Sequence, residues 1–402
     1  MPTAPFSRTI DATFPPPVME ARRWIAGRSF PAERPLLNLS QAAPVERPPL
    51  ALREEIARAA LEDPQAHLYG PVLGLPELRA EIATQWSAAY GGAIAARDVC
   101  ITSGCNEAFC AAISTIAAPG DAVMLPTPWY FNHKMWLDTA GIEAVPLPCG
   151  PDMVPDPETA RALLSPAVKA IVLVTPNNPT GAEYPAGVLA AFLRLAQDAG
   201  ITLVVDETYR DFHSAAGAPH GLFADPRWRE NLVHLYSFSK VFRLTGHRVG
   251  AMVASPERLA QVEKFLDSMT ICPAQLGQMA ALHGLRTLKD WVAGERREVL
   301  ARRAAVEEGF AALPGWKLLG CGAYFAYAEH PFPESSLALA EALVEEQSLL
   351  LLPGTMFTPE GAGGARQFRI AFANADVAGL GEMIRRLGAF TAARATASAA
   401  GH

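Results

Sequence analysis

From about residue 98 onward, short β-branched runs alternate with longer stretches whose apolar residues recur at helical spacing. "VCITSG" at 99–104 has strand character, and "NEAFCAAISTIAA" follows as a helix stopped by Pro119 and Gly120. "AVMLP" is the next strand, "NHKMWLDTAG" a helix, and "AIVLVT" a further strand. After the loop "PNNPTG", the run "AGVLAAFLRLAQDAG" has helical spacing and ends in glycine. "ITLVVDE", "LVHLYSFS" and "VGAMVAS" add three strands. Such alternation predicts an α/β fold, a mostly parallel sheet covered by helices on both faces.

With 402 residues the chain is long enough for two domains. The charge-laced stretch 288–313 reads as one long helix leaving the first domain. Beyond it, "AYFAYAE" and "QFRIAFA" alternate with helices, as in a smaller α+β domain. We therefore expect a large domain at 44–295 and a small one made of 1–43 and 296–402, the Pro-rich first segment carrying no clear pattern of its own. No apolar run approaches the ~18 residues of a membrane span. The net charge of −7 is spread along the chain without a basic block, so neither membrane nor nucleic acid is an expected partner. Cys100, Cys105, Cys110, Cys149, Cys272 and Cys321 form no CxxC pair and no zinc spacing. Reduced thiols, a cytoplasmic location and no metal site are the expectation.

In open parallel sheets, ligands collect at the carboxyl ends of the strands. Four polar groups fall where strands should end: "SGCNEA", "PNNPTG", "DETY" and "SFSK". The turn "SGCN" before a helix is either an ordinary N-cap or a cup of backbone N–H groups for an anion. There is no GxGxxG and no Walker lysine, which disfavours a dinucleotide or nucleoside triphosphate. Asp206 follows the apolar run Leu203, Val204 and Val205, so its charge needs a partner. It is either a turn residue or a carboxylate that keeps a buried ring nitrogen protonated, as pyridoxal phosphate requires. Tyr209 could then reach an oxygen on the same ring. Lys240 is one of six lysines in a chain with 34 Lys and Arg residues. Unlike arginine it can lose its proton and attack a carbonyl, forming a Schiff base. Ser237 and Arg248 flank it with donors suited to a phosphate.

Taken in order, "YGPVLGLPELR", "SGCNEA", "PTPWYF", "PNNPTG", "VVDETY", "SFSKVFRLTGHRVG" and "QFRIAFA" resemble the class I/II aminotransferases, fold-type-I enzymes dependent on pyridoxal 5'-phosphate. The resemblance runs from about Leu37 to the last helix. It implies that Lys240 holds the cofactor covalently and that Asp206 pairs with the pyridine nitrogen. It implies that Tyr209 and Asn178 contact the ring 3-oxygen, and that Tyr130 stacks on the ring. Gly104, Cys105 and Asn106 match the start of the phosphate-binding helix, with Ser237 and Arg248 completing the cup. Tyr69 matches a tyrosine that reaches the neighbouring subunit's phosphate, which implies a homodimer with shared active sites. Arg369 matches the arginine that grips the substrate α-carboxylate.

The function implied is ping-pong transfer of an amino group between an L-amino acid and a 2-oxo acid. Alternatives on the same fold are a C–S β-lyase, a cyclising synthase, and a non-catalytic pyridoxal-phosphate sensor. Cys105 stands where a smaller or hydroxylated residue is usual. Ala42, in the segment "NLSQAAP" that resembles the family's N-terminal substrate segment, stands where glycine is common. No second arginine for a distal carboxylate is identifiable. Together with the aromatic residues around "PWYF", that leans the donor toward apolar or aromatic amino acids.

Overall fold

The computed structural model describes residues 5–360 and 363–400. A short first strand, Leu37–Asn38 (β1), precedes seven strands that form one sheet: Val99–Thr102 (β2), Ala122–Thr127 (β3), Glu143–Pro148 (β4), Val168–Val174 (β5), Thr202–Asp206 (β6), Leu232–Ser237 (β7) and Gly250–Val253 (β8). Their spatial order is β2-β8-β7-β6-β5-β3-β4. Strand β8 runs antiparallel to both its neighbours, and every other pairing is parallel. The expected mostly parallel α/β sheet is therefore present.

Every residue of β5 except Lys169, and all of β6 and β7, are buried. Both faces of these strands are covered, which is why their sequences read as continuous apolar runs instead of alternating ones. Ile171, Leu173, Leu203 and Val205 face one apolar cluster with Trp86 and Phe192. Ala170, Val172 and Val204 face another with Phe109, Leu137 and Leu259. The period of two along the strands divides neighbours between the two faces. Strand β4 escapes sequence reading because Pro146 and Pro148 interrupt it. At the sheet edge those prolines leave no ladder bond unmade.

The predicted long helix runs Lys289–Ala311. It leads into a four-stranded antiparallel sheet of Lys317–Gly322 (β9), Phe325–Glu329 (β10), Leu352–Pro353 (β12) and Gln367–Ile370 (β13), in the order β12-β13-β10-β9. Leu349–Leu350 (β11) pairs in parallel with β1. That pairing sews the N-terminal segment to the C-terminal part of the chain. Buried Arg386 reinforces it by donating to the carbonyls of Pro35, Gln347 and Ser348. A separate apolar cluster of Phe310, Trp316, Phe325, Phe368 and Phe390 fills this second part. Among the described residues no helix is long and apolar enough to cross a membrane.

Strand β8 meets the turn after β2 at Gly250. A Cβ there would lie 2.6 Å from the Gly104 carbonyl carbon, 2.7 Å from the Cys105 nitrogen and 2.9 Å from the Tyr236 oxygen. All three are backbone atoms that cannot swing aside. Gly250→Ala should cost about 1–3 kcal/mol, as overpacking does, and lower the thermal midpoint. An unchanged midpoint would contradict this packing.

Candidate active site

The carboxyl ends of β5, β6 and β7 open on one side of the sheet, and the polar residues expected there surround one cavity of about 460 Å³. Its lining includes Cys105, Asn106, Tyr130, Asn178, Asp206, Tyr209, Ser237, Lys240, Arg248, Arg369 and Ala42. Gly104 lies beneath it, at the start of the ten-residue helix Cys105–Ser114. Tyr69 stands apart: it is 80 % exposed and does not line the cavity.

Asp206 is the last residue of β6 and nearly fully buried. Its Oδ1 accepts from the Thr208 amide at 2.9 Å and the Thr208 hydroxyl at 2.7 Å. Its Oδ2 lies 3.5 Å from His133 Nε2. Burial works to raise the Asp206 carboxyl. The hydrogen bond and charge of His133, with the two bonds from Thr208, outweigh it and hold the group below the ordinary carboxylate range. His133 itself is buried and stacks on Phe109 with ring centres 3.8 Å apart. Sequence reading missed His133. The only hint was its place three residues after Tyr130, on the first turn of the helix Phe131–Thr139.

Lys240 follows β7 on the one-turn helix Phe238–Val241, which Ser237 caps by accepting from the Ser239 amide at 3.2 Å. The side chain keeps some surface open to the cavity, while its amine is enclosed by protein. Its Nζ donates to the Ala42 carbonyl at 2.5 Å and lies 5.9 Å from the centre of the Tyr209 ring. Burial, then the charges of Arg248 and Arg369, lower its pKa from 10.5 to about 8. Each of these disfavours the ammonium, so the amine is partly free near neutral pH.

Arg248 adopts φ +50°, an uncommon region for a side-chain-bearing residue. From there its Nη1 reaches Thr245 O at 3.0 Å and Ser239 Oγ at 3.4 Å. A Cβ on Gly104, itself at φ +93°, would lie 2.1 Å from Arg248 Nη2. Only glycine lets this guanidinium come so close to the helix start. Ser239 was not among the expected residues, because nothing in the sequence distinguishes it from Ser237.

Arg369, on β13, enters the same cavity from the second sheet. It is 2 % exposed, donates to Asn178 Oδ1 at 3.3 Å and to the Ser40 carbonyl, and keeps its Nε without a partner. Burial lowers its pKa to about 10, against the raising effect of Tyr209 and Tyr130, so it stays protonated at neutral pH. Tyr130 OH donates to Asn106 Oδ1 at 3.4 Å. Burial raises the phenols of both Tyr130 and Tyr209, keeping them as neutral donors.

A family model described as aminotransferase class I and II matches residues 34–387. A valine–pyruvate aminotransferase of Mycobacterium tuberculosis is 31 % identical over 362 residues, covering 88 % of this chain and 91 % of that protein. An aspartate aminotransferase of Pyrococcus horikoshii is 30 % identical over 321 residues, covering 78 % and 81 %. Among solved structures, the aspartate aminotransferase of Thermus thermophilus with maleate superposes with a TM-score of 0.86 at 27 % identity, over 96 % of this chain and 99 % of that one.

The lowered Lys240 pKa makes a direct expectation for the protein without added ligands. Acylation of Lys240, followed by mass spectrometry, should rise with a midpoint near pH 8. Replacing Arg248 by leucine removes a cation, favours the ammonium and moves that midpoint up. A midpoint near the ordinary lysine value in the parent protein would contradict the enclosure described.

Proposed function

Because this chain belongs to the class I and II aminotransferase family, we propose that its cavity holds pyridoxal 5'-phosphate and exchanges an amino group between an L-amino acid and a 2-oxo acid. The observation that carries the reading is the meeting of three groups in one cavity: a buried carboxylate (Asp206), an amine of lowered pKa (Lys240) and a buried arginine with an unpaired Nε (Arg369). They come from β6, the turn after β7, and the second sheet.

The residues suit the cofactor. The helix start at Cys105 and Asn106, with Ser237, Ser239 and Arg248, makes a donor-rich cup for a phosphate dianion. Cys105 stands there in place of a smaller or hydroxylated residue, and backbone N–H groups leave the cup usable. The Asp206 carboxylate, kept ionised by His133 and Thr208, suits a protonated ring nitrogen. Tyr209 and Asn178, which line the cavity, would contact the ring oxygen, and Tyr130 would stack on the ring. When bound, the cofactor supplies an electron sink for the carbanion left at Cα.

The chain's own residues do the rest. Arg369 orients the substrate by its α-carboxylate, using the unpaired Nε and the donors now shared with Ser40 and Asn178. Ala42 gives the carbonyl on which the Lys240 amine rests. Lys240 would hold the cofactor through Nζ, and the same amine, once free, would take the substrate Cα proton as a general base. Burial and the charges of Arg248 and Arg369 lower its pKa to about 8, so the amine is unprotonated often enough to act.

We assign cofactor binding to a domain of residues 44–295 and substrate gripping to one of 1–43 and 296–402. Val18, Met19, Tyr130 and Phe131 line the cavity, which supports a donor with an apolar or aromatic side chain. Exposed Leu68, Tyr69, Met269 and Ile271 support a homodimer. The two segments are tied by the Gly70 amide and Cys272 Sγ at 3.4 Å, and Tyr69 is then offered to the partner's phosphate. The six unpaired cysteines suit a reducing cytoplasm.

Lys240→Ala should abolish the visible absorbance of the bound cofactor's covalent link. Turnover should fall by at least about 10²–10⁴-fold, the scale of acid–base catalysis. Full turnover in that variant, or ammonia and pyruvate released from a cysteine-type donor without any acceptor, would overturn the aminotransferase mechanism. Sedimentation should give twice the 43.0 kDa chain mass, and Tyr69→Ala should release cofactor more readily.

A further inference from the structure

A second cavity, of about 810 Å³, lies on the far side of the helix Pro17–Ile25. Val18, Met19 and Arg22 of that helix line the active-site cavity, whereas Pro17, Glu20 and Trp24 line the second. Residues three and four apart share a helix face, so the two sets look in different directions. Trp129 and Tyr130 divide in the same way, Trp129 to the second cavity and Tyr130 to the first. Among the described residues the two cavities have no lining residue in common.

The two differ in charge. The first gathers Arg22, Lys240, Arg248 and Arg369 around one acid, Asp206. Among the described residues the second carries four acids, Glu20, Asp138, Glu341 and Glu360, and one base, Lys134. Lys134 Nζ is taken by Asp138 Oδ1, and Asp138 Oδ2 accepts from the Thr13 hydroxyl at 3.2 Å. Glu20 pairs with Arg23 at 2.5 Å. Among the described residues no ion pair engages Glu341 or Glu360, so the second cavity keeps a negative charge that nothing offsets.

Between those charges the walls are apolar and aromatic. Phe14 and Trp24 come from the N-terminal segment, Trp129 and Pro146 from beside and within β4 at the sheet edge, and Leu337 and Met356 from the C-terminal part. Trp129 already faces a cation, since Lys134 Nζ lies 5.8 Å from its ring centre. The helix Ser336–Gln347 sets Leu337 and Glu341 four residues apart, on one face, so an apolar contact and a carboxylate stand side by side. An ammonium gains from a ring face and a carboxylate together, while its apolar body displaces water from the same walls.

We propose that this second cavity is a binding site for a small organic cation, an ammonium group carried on an aromatic or apolar body. The body packs on Trp24 and Trp129, and Glu341 and Glu360 supply the opposite charge. The volume falls in the range of about 300–1,000 Å³ that small-molecule sites occupy. The site goes beyond the aminotransferase reading and does not rest on it. Charge sorts the ligands of the two cavities: the cation-rich one repels an organic cation, and the acidic one repels a carboxylate.

The test titrates the cofactor-loaded protein by calorimetry with benzyltrimethylammonium and with benzyl alcohol, its neutral relative. The quaternary cation has no N–H and so cannot condense with the cofactor's aldehyde. One cation per chain should bind, and more tightly than the alcohol. Glu341→Gln should weaken the cation by about 2- to 5-fold, the worth of one exposed ion pair, and leave the alcohol unchanged. Glu341→Lys should weaken the cation further, because it adds repulsion to the lost attraction. Leu337→Arg, at a position 44 % exposed on the same helix face, should do likewise. Both positions are exposed, and an unchanged thermal midpoint in each variant shows that the fold is kept. Absence of saturable cation binding, equal affinity for cation and alcohol, or Glu341→Lys binding the cation as the parent does overturns the proposal. So does a loss in Glu341→Lys shared equally by the alcohol, which would mark Glu341 as a support of the wall without a role in reading charge.

Discussion

A carboxylate at the end of a strand buried on both faces stays ionised only if something replaces its lost water. Strand β6 ends at Asp206 and Glu207 follows it, and the alternation of extended backbone sends the two acids to opposite sides of the sheet. Asp206 meets His133 and Thr208 on the cavity side. Glu207 meets His234 Nε2 at 2.8 Å, His220 Nε2 at 3.2 Å and the Tyr90 hydroxyl on the other. Each acid is thus matched by histidine brought from elsewhere in the chain. The continuous apolar burial of β5, β6 and β7 creates the problem, and these partners solve it.

The same logic governs the cations. Lys240, Arg248 and Arg369 crowd one cavity, and their mutual repulsion adds to burial in lowering the Lys240 amine to about 8. That crowding is tolerated because backbone carbonyls of Ser40, Ala42 and Thr245 accept from them. A short N-terminal segment therefore completes a site whose other parts come from residues 104–248 and from 369. The segment is held in place by β1 pairing with β11 and by buried Arg386. The C-terminal part of the chain thereby shapes the cavity through the segment it holds as well as through Arg369.

Much of the fold was legible because parallel strands buried on both faces write themselves as uninterrupted β-branched runs, and the helices between them keep their apolar spacing. The exceptions have physical causes. Strand β4 hides behind prolines that an edge tolerates, and β1, β11 and β12 are two residues each, too short for any period. Of the site, the residues sitting in turns after strands could be named in advance, since motif and position coincide there. His133 and Ser239 could not. Each is ordinary in its own local sequence and acquires its place only through a neighbour brought close by folding.

By itself the sequence determined the sheet, its mostly parallel sense and the order of polar turns along one rim, because these follow from local periodicity and chain direction. It also determined that the basic residue at 240 can lose its proton, since that is a property of lysine and not of arginine. Tertiary structure decided how readily it does so, because the lowered pKa comes from burial and from Arg248 and Arg369. It likewise decided that Asp206 remains charged, beside His133 and Thr208, and that Arg369 enters the cavity. Those outcomes depend on distances between residues far apart in the chain, and no local pattern encodes such distances.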